Sequence, residues 1–143
     1  PQISINSLNV TNNQLAGASA DMEVAVDVAT GDGRFARLLA QQGVREVHGL
    51  DLADDQVAAA KAHPSQATLG IAYRRHDLLQ PAPELAARAD LVTACYLLCY
   101  AQSHAMLRAF AQSVFAMLKP GGRFVGLNDN HRLAPTHYLS HAQ

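Results

Sequence analysis

No apolar run in these 143 residues approaches the roughly 20 that a helix needs to cross a bilayer. The first residues are polar, with Asn6, Asn9, Asn12, Asn13 and Gln14, and lack the basic start and apolar core of a secretory signal, so none is expected. Charge is scarce: 16% of residues are charged and 49% are hydrophobic, which argues against disorder and for a packed core. Formal net charge is only -1, so neither nucleic acid nor an anionic membrane is expected as an obligatory partner. Cysteine is also rare. Cys95 and Cys99 stand four residues apart and would need special geometry to bridge, so reduced thiols in a cytosolic protein are expected. The length suits one domain.

What the chain has is an alternation of short apolar runs and helical patterns. Residues 1–20 show no period and read as an N-terminal arm, ahead of a core over 21–130 and a tail over 131–143. Val24–Val28 is apolar apart from Asp27, as suits a strand buried on both faces. Phe35, Leu38 and Leu39 mark a helix face, with Gly43 at its C-cap. Val47–Leu50 is a second strand, ending at Asp51, and the alanine-rich stretch 53–62 is helical, with Asp54 and Asp55 in its first turn. A third strand is expected over 71–74, followed by His76 and Asp77, with Arg74 and Arg75 as a solvated strand end. A short helix is expected over 84–88, a fourth strand over 91–95, and a long helix from Ser103 with Leu107, Phe110, Val114 and Leu118 as its core stripe. The turn Lys119-Pro120-Gly121-Gly122 leads to a fifth strand over 124–127. Strands and helices alternating at this spacing predict an α/β fold, a Rossmann-like doubly wound parallel sheet in which five strands are identifiable.

In such sheets ligands bind outside the carboxyl ends of the strands. Asp27, Asp51, Asp77, Tyr96 and the run Asn128-Asp129-Asn130 all fall at or just after strand ends. Between the first strand and its helix lies Ala29-Thr30-Gly31-Asp32-Gly33, a small-residue loop that lets backbone approach a ligand. Gly31 to Ala36 matches G-x-G-x-x-A, and Asp51 lies about 20 residues on, where a nucleotide enzyme places an acid for ribose hydroxyls. Those features fit a dinucleotide and S-adenosylmethionine alike. Asp27 tips the balance, because a carboxylate beside the loop repels a pyrophosphate and suits a ligand with a cationic end. S-adenosylmethionine carries an ammonium and a sulfonium and no phosphate.

With these residues in view, the chain resembles the class I S-adenosylmethionine-dependent methyltransferases of the small-molecule type, over about Val24 to Asn130. Val26 to Gly33 is similar to the family's first motif, Gly49-Leu50-Asp51-Leu52 to its acidic second-strand motif, and His76-Asp77-Leu78 to its adenine-side motif. Ala89 to Ala94 is similar to its fourth-strand motif, and Leu118 to Gly122 to its Leu-Lys-Pro-Gly-Gly turn. The resemblance implies that Asp27 holds the methionine ammonium, that backbone at Ala29 and Gly31 passes the methionine part, and that Gly33 opens the helix. It implies that Asp51, with Leu52 beside it, takes the ribose, that Asp77 and Leu78 read adenine, and that Cys95 and Tyr96 close over the cofactor. Ala29 departs from the pattern by replacing the first glycine, which requires a negative φ and room for a methyl group.

The activity implied is methyl transfer to a small-molecule acceptor by in-line displacement, where alignment and exclusion of water carry much of the catalysis. Asp129 and His131 are the candidates for a base, and no metal is expected: His137 and His141 share a helical spacing but lack an evident third ligand. Two other readings stay open, an NAD(P)-dependent oxidoreductase and a non-catalytic module that binds an adenosine cofactor. The resembled fold has seven strands, so the chain reads as incomplete at its C-terminus. Its fifth strand is then expected to pair with a second copy or with another segment.

Overall fold

A computed structural model of the chain describes residues 3–4 and 22–128. Within them lie six parallel strands: β1 (Ile3–Ser4), β2 (Val24–Val28), β3 (Glu46–Asp51), β4 (Ala72–Arg75), β5 (Ala89–Cys95) and β6 (Leu118–Leu127). The helices are α1 (Arg34–Gln41), α2 (Asp54–Ala62), α3 (Gln66–Leu69) and α4 (His104–Met117). The sheet order is β1-β6-β5-β2-β3-β4. The chain therefore steps outward from β2 to β4, then crosses back to β5 and β6 on the other side of β2. The doubly wound α/β sheet expected from the alternation is the one observed, and its switch point lies between β2 and β5.

Alternate residues of the central strands feed two cores. Val26, Val28, Leu50, Val92 and Ala94 pack on one face with Leu78, Leu85 and Phe110, Val114 and Met117 of α4. Ala25, Val47, Leu91 and Tyr73 pack on the other with Ala36 and Leu39 of α1 and Val57 and Ala60 of α2. Each fully buried Val or Leu stabilises the fold by roughly 1.5–3 kcal/mol over the exposed side chain.

Several boundaries differ from those expected. The segment expected as a short helix over 84–88 is a single 3₁₀ turn, Pro83–Leu85: Ala86 is extended and Ala87 left-handed, with φ of +54°, so no α-helix can continue. The core stripe of α4 runs through Phe110, Val114 and Met117, while Leu107 is 39% exposed and Leu118 already belongs to β6. Ser103 caps that helix by accepting the Met106 amide, as its residue type favours. β6 takes in the Lys-Pro-Gly-Gly turn: Ala89 pairs with Leu118 and Leu91 with Arg123, so the turn bulges out between two registered ends. Ile3–Ser4, inside the stretch expected as an arm without elements, pairs with Phe124 and Val125 as a strand too short to show a period. Arg74 is half-buried against Glu84 rather than a solvated end, whereas Arg75 is exposed.

Candidate functional site

One row of side chains crosses four strands beneath the glycine loop. Thr93 of β5 registers with Asp27 of β2, Asp27 with Gly49 of β3, and Gly49 with Tyr73 of β4. Strand alternation sends all four positions to the face that carries α1 and α2. The loop after β2 sits over this row and is tied down at each step. Thr30 donates its amide to the Leu50 carbonyl at 3.0 Å, and Gly31 donates its amide to Asp51 Oδ2 at 2.7 Å. Tyr73 donates its hydroxyl to the Gly33 carbonyl at 3.2 Å.

Asp27 is the buried charge of this arrangement, with 1% of its surface exposed. Thr30 donates its hydroxyl to Oδ2 at 2.6 Å and Thr93 donates its own to Oδ1 at 2.6 Å. Burial pushes the carboxyl up to about 6, against the two hydroxyls and the Ala36 amide at the start of α1, which favour the ionised form. Asp27 thus does stand at the head of a helix, but among the described residues no Lys or Arg forms an ion pair with it.

Asp51 ends β3 and bridges loop and helix: Oδ2 takes the Gly31 amide and Oδ1 takes the Ala53 amide at 3.0 Å, at the head of α2. Each oxygen keeps a further lone pair. Leu52 beside it is 57% exposed, with its carbonyl accepting from Arg75 Nε. Asp77 forms a local turn, its Oδ1 accepting the Leu79 amide at 2.9 Å and its carbonyl the Gln80 amide. No hydrogen bond ties it to the glycine loop among the described residues. The Leu78 side chain is buried in the core, and its carbonyl accepts from Ser113.

The loop backbone is left-handed at Ala29, with φ of +54°. This corrects the expectation of a negative φ there: the strand end must turn sharply to pass over Asp27, and alanine adopts the conformation at a cost of roughly 1–2 kcal/mol. Across the switch point Tyr96 is left-handed too, at +61°, with its amide donating to the Leu127 carbonyl at 2.7 Å. Backbone strain of this kind collects at ligand sites. Asn128 braces the same crossing by accepting the Leu98 amide at 3.1 Å. Cys95 and Cys99 are unbridged, and Cys99 donates its thiol to the Tyr96 carbonyl. Burial, then the nearby Asp27 charge, pushes the Cys95 thiol up, so it stays protonated at neutral pH.

Asp27, Ala29, Gly31, Gly33 and Asp51 are therefore brought together, with Cys95 and Tyr96 across the switch point. Asp129, His131, His137 and His141 lie outside the described residues. Thr30, Thr93 and Tyr73 are not among the residues the sequence singled out. The signal for Thr93 is a lone hydroxyl inside an apolar strand. A cleft of about 290 Å³ between the Leu79–Ala86 segment and α4 shares no lining residue with this loop.

With this geometry in hand, residues 25–122 match the model of the methyltransferase domain family. The chain belongs to that family. It is 30% identical over 123 residues to a ubiquinone biosynthesis O-methyltransferase from Bordetella avium, covering 85% of this chain and 49% of that one. It is 31% identical over 108 residues to the enzyme of the same name from Methylobacterium sp., covering 76% and 41%. The chain thus spans about half the length of these relatives or less. Among solved structures it is similar to an S-adenosylmethionine-dependent methyltransferase from Mesorhizobium loti, with a TM-score of 0.63 and 31% identity over 80% of this chain and 49% of that one. It shares its fold with CalS10, an amino pentose methyltransferase from Micromonospora echinaspora solved with S-adenosylmethionine bound, at a TM-score of 0.71 and 24% identity over 85% and 49%. Among the described residues, no helix is long and apolar enough to cross a membrane and no cluster could hold a metal ion.

Proposed function

We propose that this chain binds S-adenosylmethionine at the carboxyl ends of β2, β3 and β5, and serves an enzyme that transfers the methyl group to a small-molecule acceptor. One observation carries the reading: two carboxylates, Asp27 and Asp51, flank the glycine loop, and neither pairs with a cation among the described residues. Asp51 suits the ribose of either cofactor, whereas the negative charge of Asp27 beside the loop opposes a pyrophosphate and favours a cationic adenosine. Bound there, the cofactor supplies an electrophilic methyl on a sulfonium.

The chain's own residues bind and orient. Asp27 supplies negative charge for the ammonium, directly or through a water, and the free lone pairs of Asp51 suit ribose hydroxyls. The backbone at Ala29 and Gly31 passes the methionine part, and Gly33 opens α1. Leu52 offers an exposed apolar side chain for the adenine, Asp77 and the Leu78 amide its polar edge, and the backbone at Cys95 and Tyr96 the far wall. Asp129 and His131 remain the candidates for a base toward an acceptor that starts protonated. The two curated relatives, O-methyltransferases by name, favour an oxygen acceptor.

Calorimetry with S-adenosylhomocysteine and with NAD tests the reading. Saturable binding of the first and none of the second is expected; the reverse would assign the loop to a nicotinamide enzyme. Binding without transfer to any acceptor would point to a non-catalytic module. The same reading expects a cytosolic setting, in keeping with the two unbridged thiols. It also expects a second copy or another segment along β6, where Ile3–Ser4 pairs with two residues of the strand. A monodisperse monomer in sedimentation would contradict a dimer.

A further inference from the structure

Gly49 needs an explanation that its own backbone does not give, because its φ is not left-handed. A Cβ there would lie 2.6 Å from Cε1 of Tyr73 and 3.1 Å from the Thr30 hydroxyl. Gly33 meets the same ring: a Cβ would lie 2.6 Å from Tyr73 Cζ, in addition to its φ of +85°. Gly31 differs, since its Cβ would meet only Gln56 Oε1, at 3.7 Å. Two glycines of the two nucleotide-site motifs are thus glycine because a tyrosine from a third strand lies across both. The ring is 5% exposed, and burial pushes its hydroxyl up, so it remains a donor at all physiological pH.

The loop's other ties run to β3, through Leu50 and Asp51, to Asp27 of β2 through the Thr30 hydroxyl, and to Arg37 of α1, whose guanidinium donates to the Asp32 carbonyl. Tyr73 reaches the loop from β4, one strand further out, and spans the full width of Gly49 to do so. We propose that Tyr73 is a positioning residue for the cofactor loop: its ring, laid over Gly49, and its hydroxyl, donated to the Gly33 carbonyl, set the height at which residues 29–33 stand above the sheet. The role rests on the cofactor reading of that loop. A binding constellation works only if its supporting residues hold it to within about 0.5 Å, so the ring should matter for binding beyond its share of stability.

The test compares this chain with Tyr73→Leu, Tyr73→Phe and Val47→Ala. Val47 is buried in the same core at the opposite end of β3. S-adenosylhomocysteine is titrated well below each melting temperature. Tyr73→Leu is expected to bind about tenfold more weakly or worse. Val47→Ala should melt lower yet keep native affinity. Tyr73→Phe should lose about threefold, because it removes one neutral hydrogen bond while Gly33 keeps the Arg37 amide. If Tyr73→Leu does not fold, the Phe variant decides the matter. Native affinity in the folded Tyr73 variants, or equal losses in Val47→Ala, would overturn the role. No binding by the unmodified chain would refute the cofactor reading and the role with it. The packing claim has its own readout: Gly49→Ala should melt well below the unmodified chain, and Gly49→Ala with Tyr73→Leu should melt above Gly49→Ala alone. A double variant that melts lower still would refute the packing.

Discussion

Thr93 donates its hydroxyl to Asp27 Oδ1 at 2.6 Å across the boundary of two strands, although 66 residues separate them in sequence. The bond lies in a buried site, so the carboxylate oxygen has no water to replace the hydroxyl. Thr93→Val keeps the shape and removes the donor. It is expected to destabilise the fold by about 1–3 kcal/mol. Thr93→Ser should fall between the two. Urea midpoints measure this, and a Val variant as stable as the unmodified chain would show that the bond contributes nothing.

Asp27 makes the chain's pH response differ from that of most carboxylates. Its folded value of about 6 lies above the ordinary 3.8. Between those values the folded state holds the proton and the unfolded state does not, so this group's contribution to stability falls as pH rises from 4 to 6. The full effect is about 3 kcal/mol. Asp27→Asn should therefore gain on the unmodified chain as pH rises through that window, read as melting temperature at each pH. S-adenosylhomocysteine should show the opposite trend, binding the unmodified chain more weakly below about pH 6 as Asp27 loses its charge. Parallel stability curves for the two proteins would place the Asp27 carboxyl at an ordinary value.

Ala29 holds a left-handed backbone that glycine adopts without penalty. Ala29→Gly is expected to stabilise the chain by about 0.5–1 kcal/mol, the relief at φ of +54° outweighing the added freedom of the unfolded chain. The denaturant midpoint checks it. A loss of stability would mean that the methyl group packs more tightly than the strain costs.

The fold was legible where local chemistry decides it. Val24–Val28 reads as a strand because burial on both faces leaves a nearly unbroken apolar run, and Ser103 reads as a helix start because its hydroxyl caps the next turn. Leu107 was misplaced because the stripe of α4 can be drawn through either Leu107 or Met117, and only packing against Leu85 and Val92 selects the second. In the site, the acids at strand ends were legible because sheet topology alone gathers strand ends. Tyr73 was not, and Gly49 and Thr93 were legible only as members of strand motifs, since the roles of all three arise from the register of strands far apart in sequence. Gly33 was legible as necessary, yet part of the reason is Tyr73 rather than a ligand.

Asp51 couples the loop to the head of α2, and that coupling can be separated from ligand binding. Its two oxygens accept the amides of Gly31 and Ala53, so Asp51→Ala leaves two backbone donors without their partners. Both lie near the surface, where water can replace the carboxylate, so the cost should be about 1–2 kcal/mol. The local effect should be larger than the global one. Hydrogen exchange at the Gly31 and Ala53 amides should speed up more than tenfold, while amides of β2 and β5 change only with overall stability. Asp51→Asn retains one carbonyl acceptor and should free the amide that faces its NH₂ while protecting the other. Uniform acceleration across the sheet would mean that Asp51 acts on the whole fold rather than on the loop.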